Sequence, residues 1–165
     1  MRQVRVLFVC LGNICRSPMA EAILRDRAAN GPLNSWVDVD SAGTGDWHLG
    51  EWPDPRTQNV CRSRGIEEFS RARQVSSADF GEFDLIIAMD RSNRTNLHRW
   101  SGSDPTKVRL MREWIGEPDT DVPDPYYGDL AGFESGFDLL SRCIDSLEQD
   151  LLDRTGLSGK ISPNG

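Results

Sequence analysis

The chain has 165 residues, a length that fits one domain with a substantial buried core. Its 19 basic and 26 acidic residues give a net charge of −7, which argues against a general nucleic-acid-binding protein, because such proteins present a basic surface. No apolar run is long enough to span a bilayer, and the apolar stretch that follows Arg2 and Arg5 is too short for a signal peptide. We therefore expect a cytoplasmic protein with no membrane or nucleic-acid partner.

Apolar and amphipathic segments alternate along the chain. We predict strands at 5–9, 36–40, 84–89 and 108–111, and helices at 17–29, 54–64, 90–100 and from Phe133 to Leu151. This order predicts an α/β fold, a single-domain three-layer sandwich with a central four-stranded parallel sheet and helices on both faces. The domain is expected to cover 1–155, and the polar segment 156–165 is predicted to be a disordered tail.

Cysteines and carboxylates are unevenly distributed. Cys10, Cys15, Cys61 and Cys143 are expected to be free thiols because no secretion signal is present. The spacing of the first two lacks the second pair, or the nearby histidine, that would complete a zinc site, so no metal is predicted. Acidic residues concentrate in the last third of the chain, and we interpret most of them as a solvated face.

One short loop carries the clearest chemical signal. A buried strand ends at Cys10, and Ser17 followed by Pro18 predicts a helix start in which the hydroxyl is the cap. Unpaired N–H groups and the helix dipole favour an anion at such a junction. Gly12 and Asn13 can adopt left-handed backbone angles, which would curl the loop into a ring of N–H donors.

Two side chains complete this predicted anion site. The field of the loop favours the thiolate form of Cys10, and Arg16 offers a planar fork that matches two oxygens of a phosphate group. The combination suits attack on a phosphate ester. The alternative is that Cys10 is an ordinary buried cysteine at a strand end.

The segment Cys10–Pro18, CLGNICRSP, closely resembles the phosphate-binding signature of the low-molecular-weight protein tyrosine phosphatases, and the chain is identified as a bacterial-type member. Further segments that resemble the family follow in its order: Ser41-Ala42-Gly43-Thr44, Trp47-His48, Asp54-Pro55-Arg56, Arg73-Gln74, Met89-Asp90 and Asp124-Pro125-Tyr126-Tyr127-Gly128. The resemblance implies hydrolysis of protein phosphotyrosine without metal or cofactor, through a phosphocysteine intermediate.

The resemblance also implies roles for individual residues. Cys10 would be the nucleophile and Asp124 the general acid, with Asp129 as second choice. Arg16 and the loop amides would bind phosphate, and Ser17 would hydrogen-bond to the thiolate. The implied phosphate-binding residues are Leu11, Gly12, Asn13, Ile14, Cys15, Arg16 and Ser17.

Aromatic residues and a polar pair are implied to shape the site. Trp47, Tyr126 and Tyr127 would form the walls of a slot for an aryl phosphate, whereas His48 is expected to be structural. Asn13 and Ser41 resemble a family pair that braces the phosphate loop. Many relatives add a histidine just before the Arg-Gln pair, where this chain has Ser70-Arg71-Ala72, so a smaller or water-filled brace is expected. Arg73 is expected to pair with an acid.

Two roles stay open for Cys15. It could form a disulfide that protects Cys10 from deeper oxidation, or it could pack below the loop.

Three other functions are weighed against the phosphotyrosine phosphatase. Protein arginine phosphatases of this family carry Thr where Ile14 stands, and arsenate reductases need downstream cysteines closer together than Cys61 and Cys143. The third is a phosphate-binding or redox-sensing module without catalysis. The expected partners are a phosphotyrosine-containing protein, including tyrosine kinases, and inorganic phosphate as product; the expected state is a monomer or a weakly self-associating chain.

Overall fold

A computed structural model describes residues 3–158 of the chain. Its sheet has four parallel strands in the order β2-β1-β3-β4, namely β1 (Val4–Cys10), β2 (Val37–Gly43), β3 (Leu85–Ala88) and β4 (Val108–Leu110). The α-helices are α1 (Arg16–Ala29), α2 (Pro55–Ser63), α3 (Asp79–Glu82), α4 (Arg91–Arg99) and α5 (Leu130–Thr155), and two 3-10 turns cover Pro105–Lys107 and Met111–Ile115.

The hydrophobic core lies on both faces of the sheet, and the central strand β1 contributes to each. Successive side chains of a strand point to opposite faces, and β1 is apolar on both. Val6 and Phe8 pack on one face with residues of α1 and α5, whereas Leu7 and Val9 pack on the other face with residues of α3 and α4. The predicted three-layer α/β sandwich with a four-stranded parallel sheet is therefore confirmed.

The strand order also fixes where a ligand can bind. The chain winds to one side of β1 to form β2 and to the other side to form β3, so β1 and β3 flank the switch point of the sheet. In such sheets a crevice opens beyond the carboxyl ends of the strands at that point. The segments that follow Cys10 and Ala88 both begin at this crevice.

Several local predictions differ from the structure. The helix start predicted at Ser17 is wrong: α1 begins at Arg16, and no side chain caps it. Strand β2 continues to Gly43, so Ser41 lies in the strand rather than in the following loop. Helix α3 was not predicted, because four residues give no recognisable periodicity.

Helix α5 ends in a glycine, and the chain then folds back onto the core. This residue is Gly156, whose φ of 79° is left-handed and suits glycine. Leu157 then folds back into the core, where its N–H donates to the carbonyl of Leu152 over 2.9 Å. Residues 159–165 of the predicted tail lie outside the described residues. No helix within residues 3–158 is both long and apolar enough to cross a membrane.

Candidate active site

The loop between β1 and α1 curls because of one left-handed residue. Asn13 has a φ of 58°, and its side-chain amide donates to Ser17 Oγ over 2.8 Å and to Ser41 Oγ over 2.9 Å. The prediction of left-handed angles thus applies to Asn13, whereas Gly12 keeps an ordinary φ. A Cβ on Gly12 would lie 3.0 Å from Cδ2 of His48, so that ring would have to shift slightly to admit a side chain.

Carbonyl groups of the loop are paired with neighbouring backbone, whereas, in the part of the chain that the structure describes, its N–H groups are not. These carbonyls accept hydrogen bonds from neighbouring backbone: Cys10 O from Thr44 N over 2.9 Å, Leu11 O from Gly45 N over 2.8 Å and Ile14 O from Asp54 N over 2.8 Å. Within residues 3–158, the N–H groups of 11–17 donate to no protein acceptor. Unpaired donors at the start of a helix form a site for an anion.

Cys10 lies at the base of this loop with a hydroxyl group beside its sulfur. The Sγ atom is 2.9 Å from Ser17 Oγ, and both side chains are buried. Because Asn13 already donates to that hydroxyl oxygen, the hydroxyl proton can point to Cys10. The contact between Ser17 and Cys10 that the resemblance implies is therefore present, whereas the helix cap predicted for Ser17 is not.

Arg16 is buried and held on one side. Its Nη1 donates to Asp90 Oδ2 over 2.8 Å and to the carbonyl of Val122 over 2.9 Å, and its side chain is only 4% exposed. Burial alone would lower the pKa of Arg16, but Cys10 and Asp90 raise it above its ordinary value. The guanidinium group is therefore a fixed cation beside Cys10.

A buried carboxylate braces the loop from behind. Glu21, which is 1% exposed, accepts hydrogen bonds from Ser41 Oγ over 2.5 Å and from Ser70 Oγ over 2.6 Å, and it pairs with Arg25 over 2.5 Å. The resemblance places a histidine in the segment where this chain has Ser70-Arg71-Ala72, and here two hydroxyl groups and Arg25 satisfy the carboxylate. Ser17, Glu21 and Arg25 share one face of α1 at steps of four residues.

A second brace comes from Arg73. Its N–H donates to Asn13 Oδ1 over 3.0 Å, and its guanidinium group pairs with Asp40 and Asp79. The carbonyl of Arg73 also accepts from Gly43 N over 2.9 Å. The loop between β1 and α1 is thus tied to β2 and to the segment before α3 through the Asn13 side chain and the Arg73 backbone.

The loop before α5 brings a carboxyl group over the crevice. Asp124 Oδ2 is 3.6 Å from Nη2 of Arg16, and Asp124 Oδ1 accepts from Tyr126 N over 3.1 Å. The Asp124 side chain is 41% exposed, so it can reach both a ligand and water. Asp129, the second choice for an acid, instead caps α5 by accepting from Gly132 N.

These groups surround one cavity of about 320 Å³. Cys10 and Arg16 line it together with Asp124, while aromatic side chains form the walls: Trp47, His48, Tyr126 and Tyr127. Leu11, Gly12, Ile14 and Cys15 also line it, whereas Asn13, Ser17 and Ser41 are buried behind the loop. The structure therefore brings the sequence-predicted side chains to one place.

The wall residues differ in how firmly they are held. Tyr127 is 94% exposed and meets the Tyr126 ring edge to face, with ring centroids 4.9 Å apart. Trp47 is 66% exposed, and its ring covers Gly45, where any side chain would collide with it. His48 hydrogen-bonds to Glu51 over 2.6 Å and also lines the cavity, so a purely structural role is too narrow for it.

Sequence reasoning missed two groups that act on Arg16. Asp90 orients the guanidinium group and caps α4 by accepting from Asn93 N over 2.7 Å. The sequence indicated a role for Asp90, because an acidic residue there directly follows a predicted buried strand and precedes a predicted helix. The contact with the Val122 carbonyl could not be inferred from the sequence, because every residue has a backbone carbonyl.

The remaining cysteines are shielded from solvent. Burial raises the pKa of Cys15, which lines the cavity, and its carbonyl accepts from Thr57 Oγ1 over 3.4 Å. Burial also raises the pKa of Cys61 to about 12 and that of Cys143 to about 11, and neither lines the cavity. All four cysteines are free thiols. Within residues 3–158 no three His, Cys, Asp or Glu side chains form a group that could hold a metal ion.

Comparison with known proteins assigns this geometry to a family. Residues 5–155 match the family model described as low molecular weight phosphotyrosine protein phosphatase. A low molecular weight protein-tyrosine-phosphatase of Streptomyces coelicolor is 45% identical over 87% of this chain and 90% of its own.

Two solved structures have the same fold. The crystal structure of YfkJ from Bacillus subtilis superposes with a TM-score of 0.86 at 41% identity, covering 93% of this chain and 98% of that chain. The YwlE arginine phosphatase superposes with a TM-score of 0.82 at 28% identity, covering 90% of this chain and 95% of that chain. The chain belongs to the low molecular weight phosphotyrosine protein phosphatase family.

Proposed function

We propose that this protein hydrolyses phosphotyrosine in proteins, without a metal ion, through a phosphocysteine intermediate. The observation that carries the proposal is the single cavity in which the Cys10 sulfur, the Arg16 guanidinium group and the Asp124 carboxyl group converge. The N–H groups of the loop and Arg16 would hold the phosphoryl oxygens, where charge is spread in the transition state.

The first step forms a covalent intermediate. The Cys10 thiolate attacks phosphorus, the new S–P bond forms, and the P–O bond to the tyrosyl group breaks. Asp124, carrying a proton, donates it to the departing phenolate oxygen. The position of Asp124 close to Arg16 and above the loop supports this assignment.

The second step regenerates the enzyme. Water attacks the phosphorus of phosphocysteine while Asp124 accepts its proton, the S–P bond breaks, and inorganic phosphate is released. The Ser17 hydroxyl, 2.9 Å from Cys10 Sγ, would stabilise the thiolate as it leaves.

The cavity walls support an aromatic substrate. The rings of Trp47 and Tyr126 can pack against a phenyl group, and Ile14 lines the cavity where the resemblance gives arginine phosphatases a Thr. Arginine phosphatase activity is the alternative, since the YwlE arginine phosphatase has the same fold. Arsenate reduction is less well supported, because buried Cys61 and Cys143 lie outside the cavity.

The proposal extends to partners and location. We expect a cytoplasmic enzyme whose substrates include tyrosine kinases, acting as a monomer or with weak self-association. For Cys15 the two roles inferred from the sequence remain as proposals: a redox partner of Cys10, or packing below the loop. Its place on the same cavity wall supports the first, and its burial supports the second.

Hydrolysis of an aryl phosphate in excess chelator tests the proposal. We expect turnover by the wild type, none by Cys10→Ser, and a loss of kcat/KM of about 10²–10⁴ for Asp124→Ala on phenyl phosphate. Phosphotyrosine and phosphoarginine peptides then decide between the two substrates. Absence of wild-type turnover, or full turnover by Cys10→Ser, would overturn the thiolate mechanism.

A further inference from the structure

Arg56, which lies outside the phosphate-binding loop, joins the two loops on which the proposed mechanism depends. In the first turn of α2, its Nη2 donates to the carbonyl of Tyr126 over 2.9 Å and its Nη1 to the carbonyl of Gly128 over 3.0 Å. These two carbonyls flank Tyr127 in the loop that carries Asp124. One guanidinium group therefore holds the acid loop at two points.

Asp54 fixes Arg56 from the other side. Its Oδ1 accepts from Arg56 Nε and its Oδ2 from Arg56 Nη2, both over 3.0 Å, in a planar two-point contact. Burial would raise the pKa of Asp54, but the hydrogen bonds from Arg56 lower it below its usual range. The N–H of Asp54 donates to the carbonyl of Ile14, so this carboxylate is attached directly to the phosphate loop.

The guanidinium group of Arg56 also lies over two aromatic rings. Its central carbon lies 4.3 Å from the centroid of the Phe133 ring and 5.8 Å from that of Tyr126. Phe133 is fully buried in α5. A lysine at position 56 would keep the charge but would lose the planar fork and the stacking surface.

The connection from Arg56 to Asp124 runs through Tyr126. The N–H of Tyr126 donates to Asp124 Oδ1, while the carbonyl of the same residue accepts from Arg56. A hydrogen bond from Gly128 N to the carbonyl of Pro125, over 2.9 Å, closes the turn between them. Releasing Arg56 would free this turn and with it the direction of the Asp124 carboxyl group.

We propose that Arg56 is a positioning residue for the general acid: through the Tyr126 backbone it sets the place of the Asp124 carboxyl group relative to the phosphate loop. This inference rests on the proposed function. It differs from a role in packing α2 against α5, because a packing role would lower the amount of folded enzyme without changing how proton donation depends on the substrate.

Leaving-group dependence separates the two roles. A general acid matters most when the departing oxygen is strongly basic, and little when it is weakly basic. The ratio of kcat/KM for phenyl phosphate to that for a nitrophenyl phosphate therefore reports proton donation. Because both values come from the same preparation, the fraction of folded enzyme cancels from the ratio.

The experiment uses the full chain with Arg56→Lys and Arg56→Gln. The matched control is Arg64→Gln, since Arg64 stacks on Phe137 at 4.5 Å and pairs with Asp138 over 2.9 Å in a similar way, but farther along α2 and α5. We expect the ratio to fall on the order of tenfold in both Arg56 variants, within the total contribution of a general acid, and to stay at the wild-type value in Arg64→Gln.

Combination with Asp124→Ala gives the decisive comparison. If Arg56 acts through the acid, Arg56→Lys should leave the ratio unchanged in an Asp124→Ala background. An unchanged ratio in the single Arg56 variants, or an equal fall with and without Asp124, would overturn the inference while wild-type turnover leaves the proposed function standing. Absence of turnover in the wild type would overturn both.

Discussion

Removing the negative charge of Asp90 tests how Arg16 is held. Asp90→Asn leaves Arg16 almost fully buried, with the Val122 carbonyl and the more distant Asp124 as its remaining partners. Breaking a buried ion pair from one side costs roughly 3–5 kcal/mol. Because the Asp90 side chain is 19% exposed and asparagine can still accept one hydrogen bond, we expect Asp90→Asn to lower the free energy of unfolding by about 2–3 kcal/mol.

Asp90→Ala should lower the free energy of unfolding further, because Asp90 has a second role in the structure. The substitution also removes the cap of α4, in which Asp90 Oδ1 accepts from Asn93 N over 2.7 Å. Loss of such a cap costs about 1 kcal/mol, so the alanine variant should be less stable than the asparagine variant by that amount. For a chain of this size, 2–3 kcal/mol corresponds to a fall in Tm of roughly 4–12 °C.

Urea unfolding followed by tryptophan fluorescence measures these differences, since the chain has five tryptophans. Asp138→Asn is the control, because it breaks an exposed pair with Arg64 and should have a small effect. The same variants are assayed on an aryl phosphate, where a displaced Arg16 should lower kcat/KM about a hundredfold for Asp90→Asn. An Asp90→Asn protein within about 0.5 kcal/mol of wild type and fully active would refute the reasoning.

Further predictions concern the thiols and the packing of the loop. Iodoacetamide at pH 8 should modify Cys10 in the folded protein, and phosphate should protect it. Cys61 and Cys143 should react only after unfolding, because burial raises their pKa to about 12 and about 11. Mass mapping that finds either of them labelled in native protein would contradict this. Gly43→Ala should cost about 1–3 kcal/mol and reduce activity, since its Cβ would lie 2.8 Å from a carbonyl oxygen of the phosphate loop. Gly136→Ala in α5, which meets nothing within 4 Å, should be stabilising by about 0.5–1 kcal/mol in the same unfolding assay, and an equal effect of the two changes would contradict the packing argument.

Sequence patterns predicted the parts of this protein that depend on neighbours along the chain. The apolar run that ends at Cys10 had to be a buried strand, and strands alternating with helices had to form a parallel sheet. These two steps place the loop at the crevice without any knowledge of distant contacts. The contact of the Ser17 hydroxyl with Cys10 was implied by the resemblance and is present, whereas the helix cap predicted from the serine before a proline is not.

Contacts between distant segments could not be predicted in the same way. Arg16 and Val122 are separated by 106 positions, and Arg56 and Tyr126 by 70, so no local period relates them. Glu21 carries no sequence signal of burial, yet it is buried and hydrogen-bonded to Ser41 and Ser70, which lie 20 and 49 positions away. Such pairs follow from the strand order, which is itself a non-local property.

The partners of the acidic residues before α5 also lie far away in the sequence. Most carboxylates of the last third were interpreted from the sequence as a solvated face, and before α5 two exposed ones also pair with arginines: Asp119 with Arg94 and Asp121 with Arg91. Asp124, the predicted acid, lies 3.6 Å from Arg16. The pKa of Asp121 is accordingly lowered, mainly by its hydrogen bond to Arg91. These pairs attach the acid loop to α4 and to the phosphate loop. A net negative chain can therefore hold an anion, because what the anion meets is the local arrangement of N–H groups and arginine, and the surrounding carboxylates hold that arrangement in place.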